Sequence, residues 1–198
     1  MTKLLLATNN RGKVREYQAL LAGITFQIVT LSGQGITTVV EEAGSSFEEN
    51  ATLKAITLAK ESGLLTLADD SGLEVDALGG EPGVRSARYA GEGATDADRI
   101  NYLLSKLKGV PEKGRTAQFR CVIAIATPEG KVKLCSGICR GIITLKPRGS
   151  RGFGYDPVFY LPKMGKTMAE LTLEEKNKVS HRARAAEKAR EILKRLAG

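Results

Sequence analysis

Lys3-Leu4-Leu5-Leu6-Ala7-Thr8-Asn9-Asn10-Arg11-Gly12-Lys13 is the stretch on which the fold turns. The apolar run from Lys3 to Ala7 predicts a short strand, and the polar run from Thr8 to Lys13 predicts a turn. Val14, Tyr17, Leu20 and Leu21 then recur at the spacing of one helix face. A strand, a glycine-containing loop and a helix, in that order, build α/β proteins. Working outward, Phe26 to Leu31 reads as a second strand. Ser45 with Glu48 and Ser46 with Glu49 form two overlapping capping boxes. The helix they open carries Ala51, Ala55, Leu58 and Ala59 on one face and ends near Gly63. Thr95 with Asp98 opens another, carrying Ile100, Leu103, Leu104 and Leu107. Thr116 to Thr127, a turn at Pro128–Lys131, and Val132 to Leu145 predict a long β-hairpin. Pro147 to Tyr155 reads as a loop. Thr172 with Glu175 caps a short helix, and Ser180 caps the last one.

Leu67-Ala68-Asp69-Asp70-Ser71-Gly72 brings two adjacent carboxylates to the end of an apolar run. The sequence predicts a strand ending there, a turn at Gly72 and a further strand from Leu73 to Leu78. α/β proteins expose reactive groups at strand ends. Neighbours on a strand point to opposite faces, so Asp69 and Asp70 are expected to do different jobs. Taken alone, Asp-Asp-Ser-Gly favours plain turn chemistry.

The 198 residues suit one domain with a substantial core, and their apolar and charged content is ordinary for a soluble protein. No apolar stretch is long enough to cross a bilayer, and the N-terminal apolar run is too short for a secretory signal. Cys121, Cys135 and Cys139 read as reduced packing residues of a cytoplasmic protein. The net charge of +8 is uneven. The first hundred residues hold 9 basic and 14 acidic side chains, the remainder 21 and 8. An acidic half suits cations, and a basic half suits polyanions. Much of the basic excess falls on the last helix, where it also reads as a solvated face.

Four segments carry candidate chemistry. Thr8, Asn9, Asn10, Arg11, Gly12 and Lys13 place backbone amides and a lysine at a helix start, which suits phosphate and reads equally well as a polar turn with a surface lysine. The spacing nearly matches a P-loop. However, Ala7 takes the place of the first glycine and Val14 that of the hydroxyl residue, which argues against an ordinary P-loop enzyme. Glu41-Glu42 precede the helix that contains Lys54. Either glutamate with Asp70 would give magnesium the one or two carboxylates it takes alongside phosphate oxygens. Gly152-Phe153-Gly154-Tyr155-Asp156-Pro157 sets two aromatics between glycines, a platform for a planar base or an aromatic turn on the core. Ser180-His181-Arg182, with Lys176 just before, forms a donor-rich edge around the single histidine, a residue type that, alone, more often serves structure than catalysis.

With these motifs in this order, joined by Ser46-Phe47-Glu48-Glu49-Asn50-Ala51, Leu78-Gly79-Gly80-Glu81-Pro82-Gly83-Val84 and Ser86-Ala87-Arg88-Tyr89, the chain resembles the inosine triphosphate pyrophosphatases along essentially its whole length. The resemblance implies one domain over residues 1–198, an elongated α/β fold with a mixed central sheet flanked by helices, and two lobes with the nucleotide between them. It implies magnesium-dependent hydrolysis of ITP, dITP and XTP to the monophosphate and pyrophosphate by a homodimer. Carried over by position, Thr8 to Lys13 and Lys54 contact the triphosphate, Glu41 and Asp70 hold the metal, Asp70 also accepts a proton, and Ser71 borders the substrate. Phe153, Gly154, Tyr155, Asp156, Lys176, His181 and Arg182 form the base pocket. Two other readings compete: a related pyrophosphatase acting on modified pyrimidine triphosphates, and a nucleic-acid binder using the basic half.

Overall fold

Lys3–Leu6 (β1) lies between two parallel neighbours, Gln27–Thr30 (β2) and Leu65–Val75 (β3), in registers that set Leu4 opposite Ile28 and Leu65. The computed structural model describes residues 2–197. Its seven strands form one mixed sheet in the order β2-β1-β3-β4-β5-β6-β7, with β4 at Thr116–Ala126, β5 at Val132–Ile143, β6 at Phe159–Leu161 and β7 at Lys166–Thr167. β5, β6 and β7 pair antiparallel. The helices are α1 (Arg11–Leu20), α2 (Phe47–Ser62), α3 (Asp96–Lys106), α4 (Leu173–Val179) and α5 (His181–Ala197). The expected α/β class, with helices accompanying a mixed sheet, is the one observed. β4 and β5 form the expected hairpin, its turn closed by the Thr127 amide donating to the Lys131 carbonyl at 2.9 Å.

The chain divides into two units. The first comprises Met1–Asp70, Cys121–Gly137 and Arg182–Gly198. Its core joins Leu4, Leu6, Tyr17, Leu67, Ile123 and Ile125 to Ala185, Ala186, Ala189 and Leu193 of α5. The alanines recur at helical spacing, and their small side chains let the helix backbone approach its neighbours closely. The second unit comprises Ser71–Arg120 and Ile138–His181. Leu73, Leu103, Phe119, Phe159 and Met168 belong to its core.

The break expected at Asp69–Gly72 does not occur. β3 runs without interruption from Leu65 to Val75, and Asp76–Leu78 forms a single 3-10 turn in place of strand. β3 has β1 on one side only as far as Leu67; on the other side it pairs with β4, and this membership of the sheet overrides the turn preference of Asp-Ser-Gly. β1 stops pairing at Leu6 opposite Leu67, and the Ala7 amide makes a last bond to the Leu67 carbonyl at 2.8 Å. The two aspartates therefore follow directly on the carboxyl end of the parallel ladder.

Among the described residues no helix is long and apolar enough to cross a membrane. All three cysteines are free thiols.

Candidate active site

In the first unit the chain leaves β1 through Thr8 and Asn9 and turns into α1 at Asn10. Asn10 is the N-cap, and its side chain accepts the Lys13 amide at 3.1 Å. Thr8 Oγ1 accepts the Asn10 amide at 3.2 Å. This local bonding folds Thr8 to Lys13 into a helix start. Among the described residues the amides of Arg11 and Gly12 have no protein acceptor. Amides at that position, with the positive end of the helix dipole, suit an anion.

Lys13 Nζ lies 2.9 Å from Asp69 Oδ2. Arg182 Nη2 approaches the same oxygen at 3.6 Å, while Arg182 Nη1 binds Glu16 Oε2 at 2.6 Å. Cys121 Sγ lies 3.7 Å from Asp69 Oδ2 and 3.6 Å from the Tyr17 hydroxyl. Burial alone would raise the Asp69 carboxyl, but Lys13, Arg182 and Lys54 together outweigh it and hold Asp69 far below the usual carboxylate range. Burial with the Asp69 charge pushes the Cys121 thiol up to about 12. Asp69 is thus a fixed anion in a basic setting.

Asp70 faces the other way, as alternation on a strand requires. Its Oδ2 accepts Asn50 Nδ2 at 2.9 Å, and Asn50 Oδ1 accepts the Gly44 amide at 2.8 Å. A Cβ at Gly44 would stand 2.7 Å from Asn50 Oδ1, so glycine is what lets the preceding loop close on Asn50. Lys54 Nζ donates to Glu42 Oε1 and to the Asp69 carbonyl, both at 2.6 Å. Burial raises the Asp70 carboxyl; Lys54 opposes this and Glu42 adds to it. Glu41, the metal ligand expected from the resemblance, is exposed, and it is Glu42 that faces Lys54.

No group of three or more His, Cys, Asp or Glu arranged to hold a metal occurs among the described residues. Magnesium takes one or two carboxylates and completes its shell with water and phosphate oxygens. A buried carboxylate next to a second acidic group supplies such a partial set.

In the second unit, Asp156 is buried. Its Oδ2 accepts the Phe153 amide at 3.0 Å and pairs with Lys176 Nζ at 2.5 Å. Lys176 Nζ also stands 4.8 Å from the centre of the Phe153 ring, a cation–π distance. A Cβ at Gly152 would run into Asp156 Oδ2, and Gly152 has φ +76°, so both space and backbone require glycine there. The expected pair of stacking aromatics divides. Tyr155 is buried in the core and donates its hydroxyl to the Ser86 carbonyl at 2.8 Å, whereas Phe153 is half-buried. His181 is buried, its ring stacked on Phe119 at 4.7 Å. Ser71 is half-buried and follows Asp70 on β3.

The structure therefore assembles Thr8–Lys13, Lys54, Asp70 and Glu42 in one unit, and Phe153–Asp156, Lys176 and His181 in the other. Arg182, expected in the base pocket, makes its ion pairs with Glu16 and Asp69. Glu16, Asn50 and Asp96 were not singled out as site residues. Glu16 carried a readable signal: it adjoins Tyr17 on the apolar side of α1, where a buried charge needs a partner. Asn50 at a small-residue helix face was a fainter one.

Residues 4–192 match the family model described as Ham1 family. The chain is 53% identical to a protein named dITP/XTP pyrophosphatase from Desulforamulus reducens, over 98% of this chain and 96% of that one. It is 47% identical to one of the same name from Bacillus subtilis, over 98% of each. A solved structure of a HAM1 protein from Coxiella burnetii superposes with a TM-score of 0.90 at 43% identity, covering 98% of this chain and 100% of that chain. A crystal structure of a nucleoside-triphosphatase / dITP/XTP pyrophosphatase from Mycobacterium abscessus gives 0.77 at 42% identity, covering 95% and 98%.

Proposed function

The chain belongs to the Ham1 family, and on that premise we propose that it is a pyrophosphatase that hydrolyses ITP, dITP and XTP to the monophosphate and pyrophosphate. The observation that carries this reading is the divergence of Asp69 and Asp70. One is a fixed anion holding Lys13; the other is a carboxylate held by Asn50 beside Lys54 and Glu42.

In this reading the Arg11 and Gly12 amides, with Lys13 and Lys54, take the phosphate oxygens. Asp70, with Glu42 or Glu41, holds magnesium. A bound magnesium ion would neutralise charge on the phosphates and on the leaving pyrophosphate. Asp70 orients a water toward the α-phosphorus and accepts its proton as the bond to the pyrophosphate oxygen breaks. Asn50 fixes Asp70, so the carboxylate is placed before substrate arrives.

The Phe153 ring supplies a face for the purine, with Lys176 and Asp156 at its edge. Inosine and xanthine carry a keto oxygen at position 6 where adenine carries an amino group. A donor placed for the keto oxygen meets a second donor in adenine, and a buried group left unpaired costs about 1–3 kcal/mol. We assign the donors to this unit's Lys176 and His181 and to nearby backbone. We further propose a homodimer acting in the cytoplasm.

Part of the basic excess serves structure, which weakens the nucleic-acid reading. Arg190 caps α1 through the Leu20 and Ala22 carbonyls at 3.0 and 2.8 Å, and Lys188 donates to the Ser136 carbonyl at 2.7 Å. Pyrophosphate release from ITP, dITP, XTP, GTP and ATP, with and without magnesium, tests the proposal. Fast release from the first three, lost with chelator, is expected. Preference for ATP or for pyrimidine triphosphates would overturn it.

A further inference from the structure

Asp96 sits in the first turn of α3, far in sequence from the loop it holds. Its Oδ2 accepts the Gly154 amide at 2.7 Å, and its Oδ1 pairs with the Arg99 guanidinium. Asp156 accepts the neighbouring amide, that of Phe153, at 3.0 Å. Two carboxylates from separate segments thus hold consecutive peptide groups of one loop. Peptide groups are planar, so pinning both N–H vectors restrains the backbone on either side of Phe153 Cα and with it the Cα–Cβ direction from which the ring projects. The restraint matters because Gly152 and Gly154, at φ +76° and +62°, flank Phe153 and are the least restricted residues a chain can use.

The clamp is itself anchored. Arg99 Nη1 donates to the Ala87 and Ala94 carbonyls at 3.0 and 2.6 Å. Thr95 and Asp98 close a capping box around the start of α3. Ser86 accepts the Tyr155 hydroxyl through its carbonyl, and its Oγ accepts the Leu73 amide at 2.9 Å. The Ser86–Arg99 segment therefore forms a mount for the aromatic loop, and Asp96 is the member that reaches its tip. Hydrogen bonds to a carboxylate are stronger than neutral ones, which suits this task.

We propose that Asp96 is a positioning residue for base selection: by holding the Gly154 amide it sets the direction from which the Phe153 ring is presented to the purine. The proposal rests on the reading of the Phe153 loop as the base subsite. Asp96 touches no reacting atom, so it acts on how well each base is held and leaves the chemical step alone.

Steady-state kinetics on ITP, XTP, GTP and ATP, with a melting curve for each protein, test it in wild type, Asp96→Ala, Asp96→Asn and Phe153→Ala. Asp96→Ala is expected to raise KM for ITP about tenfold with kcat within about twofold, and to narrow the ITP-over-ATP preference. Asp96→Asn, whose side-chain oxygen still accepts the amide, is expected to recover most of the loss. Should Asp96→Ala fail to fold, Asp96→Thr takes its place with the same expected KM rise. If Phe153→Ala changes KM and base preference while the Asp96 variants leave both alone, Asp96 has no such role and the base subsite stands. If Phe153→Ala changes neither, both readings fall. A drop in melting temperature with unchanged KM and base preference would likewise overturn the proposal.

Discussion

Lys13 Nζ stands 2.9 Å from Asp69 Oδ2, and this contact joins the helix-start loop to the strand that carries Asp70. Asp69 is buried, while Lys13 keeps 14% of its side-chain surface. The lysine ammonium is thus fixed by Asp69 on a side chain that keeps some contact with solvent.

The first prediction concerns that contact. Asp69→Asn removes the anion beneath Lys13 and Arg182, and is expected to raise KM for ITP and to lower stability by about 3–5 kcal/mol, as for other broken buried pairs. Urea unfolding and kinetics on Lys13→Met, Asp69→Asn and the double variant measure the coupling. Strictly additive effects would show that the two side chains act independently.

Glu16 provides the second. It pairs with Arg182 at 2.6 Å, with both side chains almost wholly buried. Glu16→Gln leaves a buried guanidinium with less counter-charge and is expected to cost about 3–5 kcal/mol. Unfolding in urea at neutral pH reads this directly, and a loss under ~0.5 kcal/mol would contradict it.

Asp69 and Asp70 show how far the sequence could be read. Alternation along a strand predicts that they point apart, and their partners differ, yet the strand runs on where a stop is expected. A central position between β1 and β4 cannot be seen in Asp-Asp-Ser-Gly itself. The capping boxes at Thr95–Asp98 and Thr172–Glu175 were legible because they are local and both are formed. Ser46 caps α2 as expected, but Glu49 reaches back to Ser45 at 2.7 Å. Glu42 beside Lys54, Arg182 with Glu16, and Asp96 with Gly154 all depend on which segments meet, which spacing alone does not encode. Tyr155 looked like a ligand surface because an aromatic beside glycine reads the same whether its ring packs inward or outward.

Gly152 supplies the third prediction. With φ +76° and Asp156 Oδ2 where a Cβ would sit, Gly152→Ala must displace the carboxylate that holds Phe153 and Lys176. Stability is expected to fall by more than about 1 kcal/mol, with a raised KM for ITP. A variant with wild-type KM and melting temperature would contradict the loop geometry.

The fourth is a pH dependence. Bonds from Thr95 to Asp98, from the Thr167 amide to Glu170 and from the Thr172 amide to Glu175 hold these carboxyls below their ordinary values. A lowered folded-state value contributes stability above the unfolded value, about pH 4, and that contribution is lost as pH falls through the folded one. Asp98→Asn, Glu170→Gln and Glu175→Gln combined should therefore flatten the fall in melting temperature between about pH 6 and 3, since the amides keep an acceptor without titrating. Parallel curves for variant and wild type would contradict this.

Pyrophosphate release from ITP by Asp70→Asn, set beside wild type and accompanied by a melting curve, tests the central claim most directly. Asn50 still finds an acceptor in that variant, so the fold should persist while the rate falls about a hundred- to ten-thousandfold. A folded Asp70→Asn protein that releases pyrophosphate within about twofold of the wild-type rate would remove Asp70 from the reaction.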